Sequence, residues 1–151
     1  MHSQFIGAAA AVEAACERTP LNRLTRLTVE RVAIVDDEEA MVTVTSAVLE
    51  RWGYPTIQFT SAAHFLEAFA AAPERINLVV ADVVMPGMSG LQLVRTLRDS
   101  GHDVPILLMT GFNVQDHLQT GGSSGRISLV RKPFTSGQLG QSVRRMLRAP
   151  R

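Results

Sequence analysis

The chain has 151 residues, of which 46% are hydrophobic and 19% charged, and its formal net charge is +1. This is the length of one ordinary domain with enough apolar material for a core, and the near-neutral charge excludes a general attraction to nucleic acid or membranes. The single cysteine, Cys16, excludes an internal disulfide, and no apolar run approaches the roughly 20 residues that span a bilayer, so we expect a cytoplasmic protein.

Residues 1–30 form an extension ahead of the first predicted strand. They are Ala-rich and then polar, with a helix predicted over about 7–18 and Pro20 breaking any continuation. No Lys or Arg precedes the apolar run over 5–12, and Glu13 interrupts it early, so we expect no signal peptide. The extension, partly helical or flexible, could pack on the domain, dimerise or have no defined place.

From residue 31 the chain alternates between two hydrophobic patterns. Short apolar runs predict five strands, at 32–35, 56–59, 78–81, 106–109 and around 129–130. Apolar residues at helical spacing predict helices at about 38–52, 61–71, 91–100 and 135–148. In the first helix the apolar positions at this spacing are Met41, Val44, Val48, Leu49 and Trp52. The alternation is typical of a doubly wound α/β fold, in which helices cover both faces of a parallel sheet.

The segment between the fourth and fifth strands is irregular. Residues 114–120 could form a helix, but the Gly/Ser stretch at 121–125 has high backbone entropy and breaks helices. We expect the fourth helix of the fold to be short, disordered or absent.

Polar side chains follow four of the five predicted strands. They are Asp36 and Asp37 after the first strand, Asp82 after the third, Thr110 after the fourth, and Arg131 and Lys132 after the fifth. Ligands of doubly wound folds bind at the carboxyl ends of the strands, so we expect the three carboxylates to converge there. Carboxylates this close repel one another unless a cation lies among them, and their hard oxygens suit Mg²⁺. Asp82 could then act as a nucleophile toward phosphorus, with Lys132 and Thr110 contacting the phosphoryl oxygens.

Four motifs in order, each at a strand end, make this interpretation specific. They are Asp36-Asp37, the sequence DVVMPG at 82–87, MTG at 109–111, and KPF at 132–134. Together they resemble the receiver domain of response regulators in two-component signalling. The resemblance covers about 31–148 and leaves 149–151 as a tail. It implies a flavodoxin-like, five-stranded parallel sheet in the order 2-1-3-4-5, with a Lys132-Pro133 bond similar to one that is cis in the family.

The resemblance also implies a role for each site residue. The metal ligands would be Asp37 directly, Asp36 through water, Asp82, and the backbone carbonyl of Val84. Asp82 would be the phosphoacceptor, and Thr110 and Lys132 would contact the phosphoryl group. The phosphoryl donor would be a phosphohistidine on a sensor histidine kinase or a histidine phosphotransfer protein.

The function that follows is a stand-alone, Mg²⁺-dependent phosphoacceptor that catalyses only its own phosphorylation and dephosphorylation. Its output would be an altered surface presented to a protein target, with no direct nucleic-acid or membrane binding and with a homodimer as one option. The chain could also be a fragment of a hybrid kinase.

Two departures from the family pattern bear on how such a switch would work. Many receivers carry an aromatic residue three positions before the lysine, whereas this chain has Leu129. Thr110, Gly111 and Phe112 resemble a Thr-Gly-aromatic subgroup in which the fourth helix is often weak. We therefore hypothesise that phosphorylation orders the segment 111–128, and unchanged hydrogen exchange there would contradict this. Val84 and Phe112 cannot hydrogen-bond an attacking water, which predicts slow loss of the phosphoryl group.

Two other classes of protein remain as alternatives. A degenerate receiver would bind partners without phosphorylation, and Leu129 and the Gly/Ser stretch keep that option open. A doubly wound aspartyl-phosphate phosphatase would usually place its nucleophile after the first strand, with a second acid two residues later. Here Asp36 and Asp37 are adjacent and Asp82 follows the third strand, which disfavours the phosphatase.

Overall fold

The computed structural model describes residues 29–111 and 126–149. The strands are β1 (Val32–Val35), β2 (Thr56–Phe59), β3 (Leu78–Asp82), β4 (Ile106–Thr110) and β5 (Ile127–Arg131). The helices are α1 (Glu39–Arg51), α2 (Ala62–Ala71), α3 (Gly90–Asp99) and α4 (Ser136–Arg148), with a single 3₁₀ turn at Pro73–Arg75. Every strand and helix predicted for these residues is present, with ends shifted by no more than two residues.

The five strands form one parallel sheet in the order β2-β1-β3-β4-β5, as the resemblance implied. β1 pairs with β3, so that Val35 lies opposite Ala81, and β3 pairs with β4, so that Asp82 lies opposite Met109. β1 and β4 are buried along their whole length, because each has a neighbouring strand on both sides and helices on both faces. This register brings the carboxyl ends of β1, β3 and β4 to one edge of the sheet.

Side-chain caps define where three of the helices begin. The Ser61 hydroxyl accepts a hydrogen bond from the His64 amide at the start of α2. Ser89 and Thr135 form capping boxes with Gln92 and Gln138, in which side chain and backbone bond reciprocally. Ser89 thus fixes the start of α3, which follows the turn after Asp82.

Two apolar layers lie on opposite faces of the sheet. One is formed with α2 and α3 and includes Phe65, Phe69, Leu93 and Leu97. The other is formed with α1 and α4 and includes Val42, Leu49, Leu139 and Val143. Two layers of helices over one sheet confirm the predicted doubly wound fold.

The predicted inward face of α1 was partly wrong. Val44, which the helical spacing placed with the apolar positions, is 55% exposed. The buried face instead carries Thr45 and Ser46 together with the apolar residues of that layer. The Ser46 hydroxyl is hydrogen-bonded to the Thr56 hydroxyl on β2, so a polar contact helps to set the rotation of the helix.

Two predictions concern residues outside those described. The helix considered at 114–120 lies within 112–125, and the expectations for the extension at 1–30 fall almost wholly on 1–28. Among the helices of the described ranges, none is long and apolar enough to cross a membrane.

Candidate functional site

The sheet brings three carboxylates together at its carboxyl edge. Asp36 and Asp37 follow β1 directly, Asp82 is the last residue of β3, and the two strands are hydrogen-bonded neighbours. One oxygen from each carboxylate lies within 4.8 Å of the others. The convergence predicted from the strand ends is therefore present.

Asp36 is fully buried, and only one of its two carboxylate oxygens has a hydrogen-bond partner. Its Oδ1 accepts a hydrogen bond from the Glu38 amide at 3.0 Å, whereas its Oδ2 is buried and has no hydrogen-bond partner. The pKa of Asp36 is raised to about 6, chiefly by burial and also by the negative charge of Asp82, while the hydrogen bond from the Glu38 amide opposes the rise. Asp36 is therefore harder to ionise than a free aspartate.

Asp82 is held by two donors. Its Oδ1 accepts from the Val84 amide at 3.1 Å, and its Oδ2 accepts from Lys132 Nζ at 2.9 Å. Lys132 Nζ also lies 3.8 Å from Asp36 Oδ2. Partial burial lowers the pKa of Lys132, but the hydrogen bond and charge of Asp82, aided by Asp36, outweigh it, so that the pKa is raised. The ammonium group therefore stays charged between the two carboxylates.

Thr110 and the backbone at Lys132 complete this edge of the site. Thr110 is the last residue of β4, is 5% exposed, and pairs with Arg131 of β5. Its carbonyl oxygen accepts a hydrogen bond from the Lys132 amide at 2.7 Å, which ties the two strand ends together. The Lys132-Pro133 peptide bond is cis, as the resemblance implied.

Val84 lies two residues after Asp82, at the protein surface. Its backbone amide anchors Asp82, while its side chain is 71% exposed at the surface of the turn. A group bound at Asp82 would therefore be bordered by an apolar, solvent-facing side chain that offers no hydrogen bond.

Sequence reasoning missed two positioning residues. The Glu38 amide orients Asp36, although the side chain of Glu38 has no such role. Gly90 lies against the end of β3: a Cβ there would be 2.4 Å from the Asp82 carbonyl oxygen, and the Gly90 amide donates to the Val83 carbonyl at 2.9 Å. The sequence offered only a glycine directly after a serine at a predicted helix start, which does not show what the glycine approaches.

The donor set fits a divalent cation that prefers oxygen. Three carboxylates supply hard ligands, and the buried Asp36 Oδ2 without a hydrogen-bond partner is an atom that a cation or its water would satisfy. The single ammonium of Lys132 does not balance three carboxylates. A bound cation would favour the ionised form of Asp36.

The fold and the site define a phosphoacceptor-type α/β domain, and comparison with known families agrees. The family described as the response regulator receiver domain matches residues 32–144. The chain therefore belongs to the response regulator receiver domain family. The α/β phosphatase alternative receives no support from this family assignment.

Curated relatives cover the same part of the chain. The chain is 28% identical over 119 residues to sporulation initiation phosphotransferase F of Bacillus subtilis, covering 78% of this chain and 94% of that protein. It is 33% identical over 116 residues to the transcriptional regulatory protein FixJ of Azorhizobium caulinodans, covering 77% of this chain and 54% of the relative. The chain spans about half the length of several other matched regulators, such as the Bacillus subtilis protein PhoP, at 49%.

Solved structures show the same fold. The chemotaxis response regulator CheY4 of Vibrio cholerae superposes with a TM-score of 0.70 at 26% identity, covering 78% of this chain and 98% of the other. The FixJ-N structure superposes with a TM-score of 0.69 at 29% identity, covering 81% of this chain and 96% of the other.

Proposed function

We propose that the protein accepts a phosphoryl group on Asp82 as a step in two-component signalling. The observation that carries this proposal is the arrangement around Asp82: its carboxylate lies beside Asp36 and Asp37, with Lys132 Nζ 2.9 Å from its Oδ2. Phosphoryl transfer needs an aligned nucleophile and stabilised negative charge more than it needs covalent catalysis, and this arrangement supplies both.

In the proposed reaction an Asp82 carboxylate oxygen forms a bond to phosphorus. The phosphorus–nitrogen bond of the donor phosphohistidine breaks, and its electron pair leaves with the imidazole. Lys132 stays charged and moves its hydrogen bond from Asp82 to a phosphoryl oxygen. Thr110, at the end of β4, contributes its hydroxyl group to another phosphoryl oxygen.

We propose Mg²⁺ as the cation of this site. Asp36, Asp37, Asp82 and the Val84 carbonyl would hold it, and when bound it supplies positive charge against the oxygens of the incoming phosphoryl group. The buried Asp36 Oδ2, which has no hydrogen-bond partner, supports this assignment. The protein would act on its own aspartate and on no other substrate.

The proposed donor is a phosphohistidine on a sensor histidine kinase or a histidine phosphotransfer protein, and the proposed output is an altered protein-binding surface. Two sensor kinases carry segments similar to this chain: CqsS of Vibrio cholerae, at 32% identity, and CckA of Brucella abortus, at 29%. The chain spans 15% and 12% of those proteins, so a phosphohistidine donor in the same pathway is consistent with these relatives.

Intact mass spectrometry after incubation with phosphoramidate tests the proposal. We expect one added phosphoryl group that requires both Mg²⁺ and Asp82, and none in Asp82→Ala. Asp103→Ala, which removes an exposed aspartate far from the site, is the matched control and should still be modified. An adduct that persists in Asp82→Ala, or a folded, Mg²⁺-binding wild type that neither phosphoramidate nor a histidine kinase modifies, would contradict the proposal.

A further inference from the structure

A second concave surface lies at the opposite end of the sheet from Asp82. It is a cavity of about 470 Å³, bordered by residues that precede three strands: Asn77 before β3, Pro105 before β4 and Arg126 before β5. Glu30, two residues before β1, also lines it. We call this surface the amino-end groove.

Part of the floor of the amino-end groove is apolar. Phe69 and Ile76 reach it from one layer of the core, and Met146 and Leu147 reach it from the other. Phe69 and Ile76 are themselves buried, at 3% and 7% exposure, so the accessible apolar surface comes mainly from Met146 and Leu147. This apolar part of the floor favours a ligand that can bury aliphatic side chains.

The rim of the amino-end groove is acidic. It carries Glu30, Glu74 and Asp103, against one arginine, Arg126. Arg126 is paired with Asp103, through an ion pair at 3.6 Å between the side chains and a hydrogen bond from the guanidinium to the Asp103 carbonyl at 3.0 Å. Within the ranges 29–111 and 126–149, neither Glu30 nor Glu74 forms an ion pair. The surface thus offers two uncompensated carboxylates beside an apolar floor.

The chain that enters the domain at this groove has the complementary composition. Residues 18–28 contain three arginines and no acid, together with leucines at 21, 24 and 27. This stretch ends beside Glu30, which lines the groove, and an extended chain reaches about 3.3–3.6 Å per residue, so all of it is within range. Arginine stems and leucines would cover the apolar floor, while the guanidinium groups would meet the acidic rim.

We propose that residues 18–28 bind the amino-end groove of their own chain, through their leucines on the apolar floor and through Arg23 and Arg26 at Glu30 and Glu74. The groove lies at the end of the sheet away from Asp82, so this contact leaves the phosphoacceptor site open. The proposal does not depend on phosphorylation, and either one can fail without the other.

The single cysteine allows a direct test on the full chain. A nitroxide attached to Cys16 broadens the amide signals of residues near it, measured in ¹⁵N-labelled protein. We expect strong broadening at Asn77 and Asp103, and none at Ser89 or Thr135. The Arg23→Glu, Arg26→Glu variant should lose most of the groove broadening, and adding Glu30→Arg and Glu74→Arg should restore it. Glu67→Arg, a reversal of an exposed acid on α2, is the matched control and should leave it unchanged.

Three results would overturn the proposal. Equal broadening in the wild type and the Arg23→Glu, Arg26→Glu variant would show that the segment only samples the volume its tether allows. Broadening that falls when the labelled protein is diluted with an excess of unlabelled, untagged protein would assign the groove to a second copy. The third result is that broadening is absent at the groove in the wild type, while unchanged amide shifts at Ser89 and Thr135 show an intact fold. That result would show that residues 18–28 do not bind the groove.

Discussion

Lys132 Nζ lies 2.9 Å from Asp82 Oδ2, although β4 separates the strands that carry the two residues. The lysine spans that strand because its backbone follows β5 directly and its amide is bonded to the Thr110 carbonyl. One ammonium thus contacts two carboxylates, at 2.9 Å to Asp82 and 3.8 Å to Asp36. Lys132 therefore forms an ion pair with both carboxylates.

Replacing Lys132 by Met should destabilise the metal-free protein. A hydrogen bond to a charged group contributes about 1.5–3 kcal/mol, and Asp82 would lose this partner while remaining largely buried. We expect a loss of that size in urea unfolding at pH 7.5 with EDTA, and a smaller loss in saturating Mg²⁺, because the metal also neutralises the carboxylates. An equal loss with and without Mg²⁺ would show that the lysine and the metal act on different groups.

Replacing Asp36 by Asn should stabilise the metal-free protein in a pH-dependent way. The folded protein raises the pKa of Asp36 from 3.8 to about 6, so stability from this group is fully present below pH 3.8 and is lost as the pH rises through 6. Asn cannot ionise and keeps an acceptor for the Glu38 amide. We expect a gain of up to about 3 kcal/mol above pH 6, from about two pKa units at 1.36 kcal/mol each, and almost none below pH 4.

Urea unfolding at several pH values in EDTA measures this gain, with Glu67→Gln on the exposed side of α2 as the control. The same Asp36→Asn variant should bind Mg²⁺ more weakly, because it removes one of the proposed ligands. A gain that is independent of pH, or Mg²⁺ affinity equal to that of the wild type, would contradict the assignment of Asp36.

Replacing Val84 by Asn should shorten the lifetime of the phosphoryl group. The Val84 side chain is 71% exposed beside Asp82 and offers no hydrogen bond, whereas an amide could orient the attacking water. We expect phosphoryl loss to be several-fold faster in Val84→Asn, followed by intact mass after the phosphodonor is removed. Val44→Asn, another exposed valine but on α1, should keep the wild-type rate. A wild type that loses the group faster than Val84→Asn would refute the slow-hydrolysis hypothesis.

The strands and the site were predictable because they depend on strong local patterns. β1 and β4 are continuous apolar runs, and the polar residue that ends each strand falls at the same edge by topology alone. The rotation of α1 was not predictable in this way, because its buried face includes Thr45 and Ser46, and Ser46 is held by a contact to Thr56 on another element. Counting apolar residues therefore placed Val44 on the wrong face.

For a similar reason, close approaches between backbone segments could not be predicted from the sequence. The sequence shows that position 90 is glycine, but not that the Asp82 carbonyl oxygen lies where its Cβ would be. The hydrogen-bond partners at the site were also not predictable. The motifs predicted that Asp36, Asp82 and Lys132 converge, but not which carboxylate oxygen has no hydrogen bond.

Replacing Gly90 by Ala should displace the backbone that positions Asp82. The added Cβ would lie 2.4 Å from the Asp82 carbonyl oxygen and 3.0 Å from the Val83 Cα, both backbone atoms that cannot move aside independently. The end of β3 or the start of α3 must therefore shift, which we expect to lower the free energy of unfolding in urea by about 1–3 kcal/mol and to slow phosphorylation of Asp82.

Gly137→Ala in α4 is the matched control, because its Cβ would meet only the Thr135 hydroxyl, at 3.8 Å. That variant should keep the phosphorylation rate and gain up to about 1 kcal/mol from the better helix propensity of alanine. If Gly90→Ala were as stable and as readily phosphorylated as Gly137→Ala, the packing of α3 against β3 would not position Asp82.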